Sequence, residues 1–169
     1  SPIFCFNMLI LKRNYFLIHN NNKYRCSVGR NGIKRFKKEG DFCTPMGKFS
    51  LGPVYYRKDR INKLNSKLDI YPIKENMYWE DNPYNKNYNK LIFNKKSNEH
   101  LFRKDNIYDI FVVIKYNIKP IIPGKGSAIF IHIAKKNYFP TKGCIALNKK
   151  DLIFLISKLS MNEKILINF

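Results

Sequence analysis

The chain has 169 residues, 44% of them hydrophobic and 15% aromatic, which excludes a globally disordered polymer and allows a real core within one domain, residues 1–169. Its 32 Lys and Arg against 12 Asp and Glu leave a net charge of +20, a balance that draws anionic partners to any solvated basic face. No apolar run reaches the ~18 residues that a membrane-spanning helix needs.

No signal-peptide pattern is legible from Ser1 onward, and Ser1–Phe6 is too short for the hydrophobic region of one. Met8–Leu11 and Tyr15–His19 are apolar runs of strand length split by Lys12–Asn14, which predicts a hairpin. His19 stands beside three asparagines and reads as a turn residue, not a ligand. Tyr24–Val28 is a third short strand, and Gly29–Gly40 is a basic, turn-rich loop. Thr44-Pro45 and Gly47 turn the chain into a strand over Lys48–Gly52. From Tyr55 to Arg103 no period is sustained, and stretches of that length without structure are uncommon in compact domains. An ordered excursion that shapes a cleft is expected there, with Tyr78, Trp79, Tyr84 and Tyr88 either lining a groove or covering the core from outside. His100, among charged residues, is expected to be exposed or to cap an element.

Ile107–Tyr116 is rich in β-branched and aromatic residues and predicts a strand. Pro120–Gly126 is a turn; its glycines lack the lysine and hydroxyl pattern of a phosphate-binding loop. Ser127–Ala134 is a strand carrying His132. Asn148 is the N-cap of a helix over Lys149–Leu159, whose Leu152, Leu155, Ile156 and Leu159 share one face, and Lys164–Ile167 closes as a strand. The count gives a mainly β fold with one prominent helix (α+β).

Four cysteines and three histidines are present, with no C-x-x-C pair, so a zinc site is not expected. Cys26 and Cys43 could pair across a loop in an oxidising compartment, but free structural thiols are the preferred reading. Cys144 is different. It follows Gly143 directly and lies twelve residues after His132. A thiol attacks only as thiolate, and an imidazole can take its proton. The N–H groups of Gly143 and Cys144 could serve an oxyanion. The competing reading is that a buried cysteine and a strand histidine simply fill core. The basic density over Lys23–Lys38 suits an anionic polymer, although Lys, Asn and Ile together are what an AT-rich genome supplies.

T-K-G-C-I-A-L, Thr141–Leu147, preceded by the I-F-I-H-I strand, resembles the catalytic motif of the L,D-transpeptidase (YkuD) family. A second block, Val28–Leu51, with T-P-M-G-K-F-S-L inside it, is similar to that family's N-terminal segment. Further similarity to a proteobacterial branch lies in Y-P-I at Tyr71, D-N-P-Y-N from Asp81 and I-P-G-K-G-S-A-I-F from Ile122. The resemblance implies a β-sandwich, Cys144 as nucleophile, His132 as base, Gly143 and Cys144 as backbone donors, and Thr141 packed beside them. It implies substrate contacts around Thr141 and Lys142, to which the aromatic residues Trp79 and Tyr84 are added as groove candidates. Peptidoglycan stem peptides are the implied partners, in the periplasm or cell envelope. No metal or organic cofactor and no nucleic acid are expected. Three departures from the family pattern stand out: Lys142 where many members have His, Ala146 where many have Arg, and a shorter His-to-Cys spacing.

Overall fold

The structure is a computed structural model and describes residues 8–168; Cys5 and the Ser1–Phe6 segment lie outside the described residues. β1 (Met8–Leu11) and β2 (Phe16–His19) form the expected hairpin, with Ile10 opposite Ile18, and β3 (Asn22–Arg25) pairs with β2. The basic loop is not featureless: β4 (Ile33–Lys34) pairs in parallel with β5 (Thr44–Pro45). β6 (Gly47–Tyr56) runs ten residues, beyond the expected Lys48–Gly52. Its first half pairs with a C-terminal strand and its second half with a central one, and this double use requires the extra length.

After β7 (Ile70–Pro72), the irregular stretch folds into its own small sheet of β8 (Met77–Trp79), β9 (Leu91–Phe93) and β10 (Glu99–His100). β11 (Ile110–Ile114) is shorter than expected, because the Asp109 N–H is spent on Asn106 in a turn. β12 (Phe130–Ile133), a 3-10 turn (Lys136–Tyr138), β13 (Ile145–Leu147), α1 (Lys149–Lys158) and β14 (Lys164–Ile167) complete the chain. The helix begins as the spacing predicts: the Asn148 side chain accepts the Asp151 N–H at 2.8 Å, a cap worth about 1 kcal/mol, and Leu152, Leu155, Ile156 and Leu159 are all buried.

The main sheet runs β13-β12-β11-β6-β14-β1-β2-β3. Its two ends meet. Ser27, just past β3, exchanges two backbone hydrogen bonds of 2.9 Å with Ala146 of β13. The sheet therefore curls onto itself in a barrel-like sandwich, with β7 pairing to β6 off this path as an exposed strand. Inside, Ile110, Val112 and Ile114, with Ile131, Ile133, Ile145 and Leu147, pack against the helix leucines. The opposite faces of the same strands carry Phe111, Val113, Phe130 and Cys144 into a second apolar cluster. Strands buried on both faces read as continuous apolar runs, as I-F-V-V-I and F-I-H-I do. The lid on this second face is the excursion, through Met77, Trp79 and Leu101.

Two histidines depart in detail from the sequence reading. His19 ends β2, but it is buried, and its Nε2 faces the carboxylate of buried Glu163. Parallel pairing of β1 with β14 carries residue 163 to that spot, which local sequence does not reveal. His100 is half-buried, stacked on Tyr78 at 4.3 Å between ring centroids, with Nε2 2.9 Å from the Glu75 carbonyl. Cys26 and Cys43 are free thiols. No helix among the described residues is long and apolar enough to cross a membrane.

Candidate active site

His132 lies on β12, and Cys144 stands immediately before the neighbouring β13. β12 and β13 are parallel, with Ile131 opposite Ile145 and His132 opposite Ala146. Side chains alternate along a strand, so the face that carries His132 and Phe130 on β12 carries Ala146 and Cys144 next door. The sequence pattern thus puts thiol and imidazole on one side of one sheet. Both line a cavity of about 420 Å³.

The nucleophile turn is pinned from three directions. Thr141 Oγ1 donates to the Cys144 carbonyl at 2.6 Å and accepts the Gly143 N–H at 3.1 Å. Thr44 Oγ1 donates to the Gly143 carbonyl at 2.8 Å while accepting the Gly29 N–H at 2.9 Å. The backbone of residues 28 to 30 also brackets Thr141, through Thr141 N–H to Val28 and Arg30 N–H to Thr141. The two separated sequence blocks are therefore one structural unit: Thr44 of the T-P segment holds the carbonyl before Cys144. Gly143 has φ +144°, and a Cβ there would lie 2.9 Å from the Cys43 carbonyl oxygen. Only glycine fits such a place without strain.

At rest the pair is neutral. Burial pushes the Cys144 thiol up to about 12, opposed by the Phe130 N–H. Burial pushes His132 down to about 4, opposed by the Ile133 carbonyl. The thiol donates to the Ala128 carbonyl at 3.2 Å and accepts the Phe130 N–H at 3.4 Å. His132 Nδ1 lies 2.9 Å from the Ile133 carbonyl. A carbonyl only accepts, so Nδ1 carries the proton, and the Nε2 lone pair is left as a base. The Tyr108 ring meets His132 edge-on at 5.4 Å, and its hydroxyl donates to Glu99. Burial raises the Glu99 carboxyl, countered by that hydrogen bond. The cavity wall carries both signs: Arg30, Lys37, Arg103, Lys135 and Lys142 against Glu39, Asp81 and Glu99. Among the described residues no cluster of three or more His, Cys, Asp or Glu stands together to hold a metal.

The expected substrate contacts divide. Thr141, Lys142 and Gly143 line the cavity with Cys144 and His132, whereas Trp79 and Tyr84 do not. The Gly143 N–H is engaged by Thr141, so in this state it is not a free oxyanion donor. Trp79 is buried in the core, edge-on to Phe130 at 5.1 Å. Its indole N–H donates to Asn89 Oδ1, which also accepts the Ala128 N–H. It backs the wall whose Ala128 carbonyl accepts the thiol hydrogen bond, and it does not line the cavity. Tyr84 is 96% exposed at the outer surface, while Tyr88 is buried with its hydroxyl on Glu39. Lys37, Glu99, Arg103 and Tyr108 also line the cavity; beyond the place of Lys37 in the basic Lys23–Lys38 stretch, nothing local in the sequence distinguishes them from other charged or aromatic residues.

A family model described as the L,D-transpeptidase catalytic domain, YkuD, matches residues 9–167. The chain belongs to the YkuD family. Its mainly β sandwich with one helix is the fold the motif resemblance implied. Among solved structures the YkuD domain here is similar to the helical cell shape determining protein Pgp2 from Campylobacter jejuni, at 15% identity and a TM-score of 0.45. The alignment covers 95% of this chain and 46% of that one. The K307A mutant of the same protein gives 14% identity, a TM-score of 0.46 and the same coverage. The chain thus spans about half the length of these proteins. None of the curated proteins compared with it matches. Within the YkuD domain, Ala146 lies in register with His132 and is fully buried, so no charge occupies the position where many members carry Arg.

Proposed function

We propose that this YkuD domain is a peptidoglycan L,D-transpeptidase of the cell envelope. The observation that carries the reading is that Cys144, just before β13, and His132, on the neighbouring β12, line one cavity of a YkuD domain. The thiol turns from the Ala128 carbonyl toward His132 Nε2, which takes its proton. The sulfur attacks the carbonyl of the scissile bond in a donor stem peptide. The tetrahedral intermediate collapses, the C–N bond breaks, and imidazolium returns the proton to the departing amine. A thioester remains on Cys144. An amine of a second stem peptide then attacks it, His132 takes that amine's proton, and the thiol leaves with it. Water in place of the amine makes the same site a carboxypeptidase.

The cost of this cycle is ionising a buried pair that is neutral at rest, so charge must be stabilised as it develops and not beforehand. The test is mass spectrometry of muropeptides from purified sacculi incubated with the protein. New cross-linked dimers are expected, absent with Cys144→Ala and retained with Cys26→Ser and Cys43→Ser. Trimmed monomers without dimers would make it a hydrolase. Sacculi that are bound but unchanged would leave a basic polymer-binding module, and turnover by Cys144→Ala would sink the cysteine mechanism.

A further inference from the structure

Lys37 is the one basic residue of the Lys23–Lys38 stretch that is buried, at 6% exposure, while its neighbours Arg35 and Lys38 face solvent. Its ammonium is fixed by Asp41 Oδ1 at 2.8 Å, with the Lys38 carbonyl a weaker partner at 3.4 Å. Asp41 is fixed in turn, accepting the N–H groups of Lys38 at 2.8 Å and Cys43 at 2.9 Å. An ammonium has three donors, so one direction is left for whatever enters the cavity that Lys37 lines with Cys144. The location is specific. A side chain on Gly143 would begin 3.6 Å from Nζ, and one on Gly126 only 2.9 Å from Cε. Two glycines thus clear the path of one lysine to the nucleophile turn. A buried lysine is expensive to maintain, and one that reaches a cavity beside a nucleophile calls for a use.

We propose that Lys37 is the fixed cation of this site, held by Asp41 to stabilise the negative charge that develops on the Cys144 sulfur. The inference rests on Cys144 being the nucleophile. The other ionisable groups facing the thiol are Glu99, Tyr108 and His132; Glu99 opposes ionisation of the thiol and Lys37 favours it. Lys37 acts through the field on sulfur, so it is a positioning residue, and its signature is on thiol reactivity.

The experiment measures the rate of Cys144 alkylation by iodoacetamide between pH 7 and 10, resolved by peptide mass spectrometry. Wild type is compared with Lys37→Met, Lys37→Arg and the exposed neighbour Lys38→Met. Removing a cation that lines the same cavity as the thiol should slow Lys37→Met by roughly tenfold at each pH, the order of one pKa unit. Lys37→Arg should stay within about threefold, and Lys38→Met should overlay wild type. A Lys37→Met line on top of wild type, or an equal loss in Lys37→Arg, overturns the proposal. Should Lys37→Met fail to fold, the wild-type protein gives the answer. Its Cys144 should favour the anionic reagent iodoacetate over neutral iodoacetamide at least about threefold more than the buried Cys26 thiol of the same protein does, because a fixed cation attracts the anion; an equal or lower ratio overturns the proposal. Loss of muropeptide turnover in Cys144→Ala is a separate result, so failure of the acyl-transfer reading and failure of the Lys37 role are distinguishable.

Discussion

Replacing Gly143 by alanine adds one carbon at the most constrained point of the site. The residue has φ +144°, and the new Cβ would lie 2.9 Å from the Cys43 carbonyl oxygen and 3.4 Å from the Ile129 methyl. That backbone region costs a non-glycine residue about 1–3 kcal/mol. The carbonyl contact cannot be relieved by a side-chain rotation. The Cys43 N–H is tied to Asp41 at 2.9 Å, and the Gly143 carbonyl is tied to Thr44 at 2.8 Å. Forcing an atom against such fixed groups costs about 1–3 kcal/mol more. Together the loss is about 4 kcal/mol, or roughly 8–16 °C in Tm for a chain of this length. Gly124 is the control. It has φ +84° with no atom within 4 Å of a Cβ, so Gly124→Ala bears only the conformational cost, about 1 kcal/mol. Calorimetric melting of the two variants gives the comparison, and Cys144 alkylation reports whether the turn has moved. A Gly143→Ala protein that melts within about 2 °C of wild type, or a Gly124→Ala protein equally damaged, would refute the steric argument.

His132 is held well below its ordinary value, at about 4 against 6.5, so the unfolded chain binds the extra proton first. Stability present above pH ~6.5 is therefore lost as the pH falls through 4, by about 3 kcal/mol; urea midpoints across pH 4–7 should fall with acid in wild type and less steeply in His132→Gln, and parallel curves would contradict this. Trp79→Ala should cost about 3–5 kcal/mol in urea unfolding and Tyr84→Ala no more than about 0.5, because one fills the second core cluster and the other is 96% exposed; similar losses would remove the distinction drawn between them. Neutralising the solvent-facing Lys34, Arg35 and Lys38 should weaken binding to sacculi at low salt while leaving turnover of a small soluble stem peptide unchanged, since exposed charges are screened within ~10 Å at 0.1 M salt; a loss on the soluble peptide would show that these residues serve the chemistry.

Where the chain is periodic, the sequence alone determined the outcome. The β1–β2 hairpin, the helix with its Asn148 cap, and the alternation that sets His132 on the face opposite Ile131 and Ile133 all follow from which side of one element each residue takes. Aperiodic stretches carry no such information. Trp79 and Tyr84 lie five residues apart in similar company, yet one is core and the other surface, because the small sheet of β8, β9 and β10 had to cover Phe111 and Phe130 with one of its faces. Lys37 and Lys38 have the same charge and adjacent places; only the packing of their loop against the Gly143 turn buries the first on Asp41 and leaves the second in water. His19 meets Glu163 across 144 residues, and Thr44 meets Gly143 across 99. Local propensity acts over a few residues, whereas these partners are set by sheet closure and by the parallel β1–β14 and β12–β13 ladders, which join segments distant along the chain.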